Sequence, residues 1–257
     1  MHGRFLLPGF FAALLPVAVV VIDGRPRPQA ATGYARWALA ALTLVWAASC
    51  ALWLRSPHTR MWSEAGIVDE RSFYVNASGH PNPTALTAYV DLPPARTALR
   101  QVDTSRAYGR HLYTTTGEYP LHERVDRRVV AVTVPVTNLG IAGLIAGLNV
   151  HVVDQTGLAD PLASRLRLAR RGRPGHEKGL SEDWVRARYA APGADSSETV
   201  IAARDALTCG MLRELIDAVE QPMSLQRFIR NFRSSLALTR LRIPPSPLEA
   251  RRMFCGR

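Results

Sequence analysis

Two uncharged apolar runs open the chain, Phe5–Ile22 and Trp37–Leu54, each eighteen residues long and separated by the polar loop DGRPRPQAATGYAR. Runs of that length can cross a hydrocarbon core about 30 Å thick, so the pattern predicts two transmembrane helices. The second run begins at Trp37 and carries Trp53 near its other end, positions where indole rings favour the lipid–water boundary. A cleaved signal peptide would explain the first run but not the second. Pro8 and Pro16 interrupt the first, which a helix bundle tolerates better than an isolated span. The connecting loop bears Arg25, Arg27 and Arg36, and short basic loops stay cytoplasmic. The expected topology is a multi-pass protein of the cell membrane, with everything after the second span on the extracytoplasmic side.

Beyond Arg55 the long apolar runs give way to shorter periods. Residues 1–55 are therefore read as two membrane helices with a short basic loop, and residues 56–257 as an extracytoplasmic α/β domain with a helical C-terminal part. Ser63–Tyr74 combines a short helix with a charged turn, and Gly79–Pro94, rich in Pro, Asn, Gly and Thr, reads as loop. Arg127–Val136 alternates and then becomes β-branched, as a strand does. The small-residue stretch NLGIAGLIAG over Asn138–Gly147 predicts a helix packed closely on a sheet. Asn149–Val153 follows as a second strand, completing a βαβ unit. Ser181 is placed to cap a helix running to about Ala190, and Ser196 or Ser197 one extending to about Glu220. A further helix starts at Ser224, with Leu225, Phe228, Ile229, Phe232 and Leu236 on one face and Arg227, Arg230 and Arg233 on the other. Such a helix packs its apolar face on the core or lies on an anionic membrane surface, the first being the commoner arrangement.

The net charge of +11 over 257 residues is carried almost wholly by arginine, with Lys178 the only lysine. That bias, together with abundant Ala, Gly and Val, is the signature of GC-rich coding. The arginines are scattered rather than striped and no recognition motif accompanies them, so nucleic acid is not an expected partner. Cys209 and Cys255 could pair if the C-terminal region is exported, or remain free thiols. Cys50 lies inside the second apolar run.

Among the seven histidines no two stand one helical turn apart in a His-Glu-x-x-His arrangement, so zinc is not expected and no residue is assigned as a metal ligand. Gly140, Gly143 and Gly147 fit neither a dinucleotide fingerprint nor a P-loop. Without a Gly-x-Ser-x-Gly elbow, carboxylates are the remaining candidates for chemistry. The densest concentration is VHVVDQTGLADPLASRLRLARRGRPGHEK, Val150–Lys178, where a strand delivers Asp154 to its C-terminal end, Asp160 follows, and Arg165, Arg167, Arg170, Arg171, Arg173, His176 and Lys178 come after. Those cations could hold a phosphate or sugar phosphate. Asp154 and Asp160 could equally cap a turn and a helix.

The phrases GIVDERSFYVNASGHPNP, TNLGIAGLIAGLNVHVVDQTGLADPLASRL and RPGHEKGLSEDWVRARYA resemble the C-terminal part of actinobacterial membrane glycosyltransferases of the glycosyltransferase C superfamily. The likeness is to the terminal β-(1→2)-arabinofuranosyltransferases. The resemblance implies transfer of arabinofuranose from a polyprenyl-phosphate donor to cell-wall arabinan on the outer membrane face, with no cofactor. It also implies that Asp69, Glu70, Arg71, Asn138, Asp154, Asp160, Arg173, His176, Glu177 and Lys178 face the acceptor glycan or the donor. The family's catalytic carboxylate lies in the first external loop of a large polytopic region that has no counterpart here, so no residue is assigned as the base. The expectation is a gene fragment, or one part of a split enzyme with a separately encoded N-terminal half, inactive alone. The rival reading is a noncatalytic membrane-anchored module that binds wall glycan or docks on a partner.

Overall fold

The computed structural model describes residues 29–55, 70–134, 139–168, 170, 176–194 and 197–256. The chain divides into two compact units, Met1–Phe73 and Tyr74–Arg257. In the first unit, helix α1 spans Gln29–Arg55 and contains the second apolar run. Its side chains Trp37, Leu42, Leu44, Val45, Trp46 and Leu52 are all exposed. Among the described residues no helix is long and apolar enough to cross a membrane. The first predicted span lies outside those residues.

The second unit begins within helix α2, Glu70–Ser78, which stops at Gly79, whose φ of +70° suits a residue without a side chain. Helix α3, Pro93–Tyr108, has proline in its first turn, where the missing N–H has no partner to lose. Two short strands follow, β1 His111–Tyr113 and β2 Glu118–Pro120, paired antiparallel across the turn Thr114–Gly117. The expected βαβ unit is present as β3 Ala131–Thr133, α4 Leu139–Ala146 and β4 Val150–Val152, with β3 and β4 parallel. Since β1 also runs parallel to β3, the sheet is mixed, in the order β2-β1-β3-β4. Strand β4 is thus an edge and not an interior strand.

Alternation along the strands sorts side chains to two faces. Val150 and Val152 meet α3 and α4 through Ala98, Val102, Ala142 and Ala146. Small residues let α4 approach the sheet, and a Cβ on Gly143 would stand 3.8 Å from the Val152 side chain. Leu112 and Val132 belong instead to the main core, closed by five helices: α5 Glu182–Tyr189, α6 Glu198–Leu207, α7 Gly210–Glu220, α8 Leu225–Arg240 and α9 Pro247–Cys255. Trp184 of α5 is fully buried there, and its indole N–H donates to the Pro245 carbonyl at 3.0 Å, which satisfies the one polar atom of that side chain.

The single helix expected from Ser197 to Glu220 is two, because the chain breaks at Thr208–Cys209. Cys209 is extended ahead of α7, Gly210 takes a φ of +49°, and a disulfide ties Cys209 to Cys255 at the end of α9. The pairing that the sequence left open is therefore made. Helix α8 starts where expected, with Ser224 Oγ accepting from the Arg227 N–H at 3.1 Å. Its apolar face does not pack on the core: Leu225, Phe228, Ile229, Phe232 and Leu236 are all exposed.

Candidate functional site

Asp154 follows β4 and is buried. One carboxylate oxygen accepts the Thr156 N–H at 2.8 Å and the Thr156 hydroxyl at 2.6 Å, and the other accepts the Ala159 N–H at 2.6 Å. Burial works against its charge, but these hydrogen bonds outweigh burial and hold the carboxyl below its ordinary range. The turn they fix leaves Gly157 at φ +83°, with no room for a side chain: a Cβ would lie 2.8 Å from the Ala163 carbonyl oxygen. Of the two roles the sequence allowed Asp154, these contacts describe the turn anchor.

Asp160 stands at the next corner. Its Oδ1 accepts the N–H groups of Leu162 and Ala163, both at 2.8 Å, and its Oδ2 takes the Arg188 guanidinium at 2.7 Å. Arg188 donates with its other terminal nitrogen to Glu220 at 3.0 Å and lies 4.8 Å from the Tyr189 ring centre. Burial alone would make Arg188 easier to deprotonate, yet the surrounding oxygens reverse that and raise its pKa. Burial raises the Tyr189 pKa. The Tyr189 hydroxyl lies 3.0 Å from His151 Nε2, and that imidazole is held below its ordinary pKa by desolvation and by Arg188. Sequence reasoning missed this network. Its one legible sign was that Arg188 lies four residues after the buried Trp184.

The segment after the basic run lies against the Asp154 turn. Gln155 and Leu180 exchange backbone and side-chain hydrogen bonds at 2.9 and 3.0 Å, and the Lys178 stem passes within 3.2 Å of the Cβ position of Gly157. Lys178 donates to the Ser164 carbonyl. Arg165 donates to the carbonyls of Leu238 and Pro161 at 2.6 and 2.8 Å, and Arg242 to those of Thr239 and Leu241 at 3.1 and 2.9 Å. Burial and then repulsion from Arg242 lower the pKa values of Arg165 and Lys178. Arg165 and Arg242 thereby serve the carbonyl end of α8, where cations are favoured. Arg167 pairs with Glu249 at 3.0 Å.

Of the other residues singled out in the sequence, Asp69, Asn138, Arg171 and Arg173 lie outside the described residues. Glu70 and Arg71 open α2, which begins in the first unit. Arg170 and His176 are exposed and Glu177 is half-buried, His176 and Glu177 both engaged in polar or electrostatic contacts. Among the described residues no group of His, Cys, Asp or Glu side chains is placed to hold a metal ion. A separate hollow of about 610 Å³ has Leu225, Ile229, Arg230 and Arg233 of α8 in its wall.

The profile described as the AftB family C-terminal domain matches residues 97–249, a span that runs from α3 into α9. A terminal β-(1→2)-arabinofuranosyltransferase of Mycobacterium tuberculosis is 34% identical over an alignment that takes in 96% of this chain and 44% of that protein. A protein of the same name from Corynebacterium glutamicum is 30% identical, over 99% of this chain and 40% of its own length. The chain therefore spans less than half the length of the curated relatives it matches. No solved structure matches it.

Proposed function

We infer from the family to which this chain belongs, that of the AftB C-terminal domain, that it serves a membrane glycosyltransferase which adds arabinofuranosyl residues to cell-wall arabinan from a polyprenyl-phosphate donor. The observation that carries this reading is the alignment of nearly the whole chain with two proteins named for that transfer. The domain acts on the extracytoplasmic side. The Cys209–Cys255 disulfide supports that side, since such bonds persist in oxidising compartments. No described helix is long and apolar enough to cross a membrane, so α1 is read as embedded in the bilayer without spanning it, because Trp37–Leu54 is uncharged and the described large apolar side chains along it are exposed.

Within the transferase this domain holds and positions rather than supplying the acid or base. The geometry of its two most buried carboxylates favours that reading: every oxygen of Asp154 and Asp160 accepts from a protein donor. A carboxylate whose lone pairs are committed in this way is a poor proton acceptor for a sugar hydroxyl. Glycan contact then falls to residues around the Asp154 turn, Lys178 among them.

The test is disruption of the gene in its host followed by linkage analysis of the wall arabinan. The expected result is loss of terminal arabinofuranose on the 2-position, restored when the gene is returned. An unaltered linkage profile would overturn the transferase assignment. Loss of wall anchoring with intact linkages would favour the rival, a noncatalytic glycan-binding or docking module.

A further inference from the structure

Helix α8 is mounted with its apolar side outward. Leu225, Phe228, Ile229, Phe232 and Leu236, spaced three and four apart, are 76, 57, 42, 74 and 61% exposed. The ridge turned to the domain is Arg227, Asn231, Ser234 and Leu238, each less exposed than its neighbours. Leu238 is buried, and Asn231 Nδ2 donates to the Ala218 carbonyl at 3.0 Å. A helix that packs only against its own domain arranges these faces the other way round. Two phenylalanines and three aliphatic side chains on one contiguous stripe mark a surface that meets something apolar.

The charges say what that is. On the exposed side of α8 stand Arg230, Arg233 and Arg240, and the helix carries no acidic residue. Arg230 and Arg233 share the wall of one hollow with Leu225 and Ile229. Cations bordering an apolar stripe fit an interface whose inner part is hydrocarbon and whose rim is phosphate, because an arginine stem can lie along the first while its guanidinium reaches the second. A protein groove would satisfy the stripe but would need its own row of carboxylates for the arginines. We propose that α8 docks in the plane of an anionic lipid surface, with Phe228 and Phe232 inserted below the headgroups. The docking rests on the reading of α1 as membrane-embedded, which keeps the chain at a bilayer.

The test uses the full chain, with Cys50→Ala and the native disulfide kept, in nanodiscs containing phosphatidylglycerol. Nitroxide labels are placed one at a time through Phe232→Cys, Arg230→Cys and, in α1, Leu44→Cys. Docking predicts that the Phe232 label is accessible to oxygen and shielded from a water-soluble nickel chelate, while the Arg230 label meets the chelate. Replacing the anionic lipid by phosphatidylcholine, or making Arg230→Gln with Arg233→Gln, should lower the docked fraction about tenfold or more. Chelate access at Phe232 would place the stripe in water and overturn the proposal. Shielding from both reagents would mean cover by protein, a second copy included, and would overturn it too. Equal docking in neutral lipid would overturn its anionic character. Leu44 in lipid with Phe232 in water defeats this inference alone, whereas the reverse pattern defeats the α1 reading alone.

Discussion

Asp160 and Arg188 meet at 2.7 Å with their side chains only 4% and 6% exposed, a sealed joint between the turn after β4 and helix α5. Removing one partner leaves the other charged and desolvated, a loss of about 3–5 kcal/mol. Asp160→Asn should therefore lower the melting temperature sharply, and differential scanning fluorimetry of the chain in micelles measures it. Asp160→Leu combined with Arg188→Met should be less damaging than Asp160→Asn alone, since no buried charge is orphaned.

Asp154→Asn is expected to lower stability and leave arabinan-fragment binding per folded molecule unchanged, because the carboxylate oxygens are already committed to Thr156 and Ala159. Calorimetric titration beside a melting curve on one preparation gives both quantities. A binding loss without a stability loss would return Asp154 to the glycan-facing set. Gly157→Ala should disturb the same turn from the other side, since the added methyl would collide with backbone. About 1–3 kcal/mol is the expected cost of forcing an L-residue into that conformation.

Reduction should loosen the C-terminal helices. Cys209 and Cys255 close a loop across a sequence separation of 46, for which loop entropy gives about 4 kcal/mol. Cys209→Ser with Cys255→Ser should reproduce the effect of a phosphine reductant on wild type, and the reductant should then have no further effect.

Acid should weaken the fold in two steps. His151 has a lowered folded pKa, so its neutral form is favoured in the native state and its contribution is lost as pH falls below about 6.5, where the unfolded chain takes up the proton. Asp154 and Glu182 are also lowered, Glu182 by the hydroxyls of Thr115 and Thr116 against the opposing effect of burial. Their contributions persist above an unfolded value of about 4 and disappear as pH falls through the folded values. His151→Gln should flatten only the upper step in urea midpoints measured from pH 8 to pH 3.

The βαβ unit was legible because its parts carry strong local signals: β-branched residues in Arg127–Val136, then a glycine-spaced apolar helix. The hairpin of β1 and β2 was not, since three-residue strands offer one alternation each, and their pairing is set by a Thr-rich turn held from α5 by Glu182. The basic segment showed where cations gather but not what they meet. Arg165 and Arg242 serve the carbonyls at the end of α8, which lies far along the chain from Arg165. For α8 the face itself was readable, and its orientation was not, because periodicity names a stripe without naming the side that turns to the domain.

The core that begins at Leu112 is closed by Leu238, Ile243 and Ala250, and Ile243 bridges to Leu166 as a single parallel rung. A polypeptide made from its N-terminus cannot complete such a core until its final helices have been synthesised. Before then the sheet and α5 wait with Leu112, Val132 and Trp184 uncovered, a state that favours holding factors and invites proteases. A truncation just before Ile243 would accordingly behave as a failure of the whole domain in quality control, not as the loss of a tail.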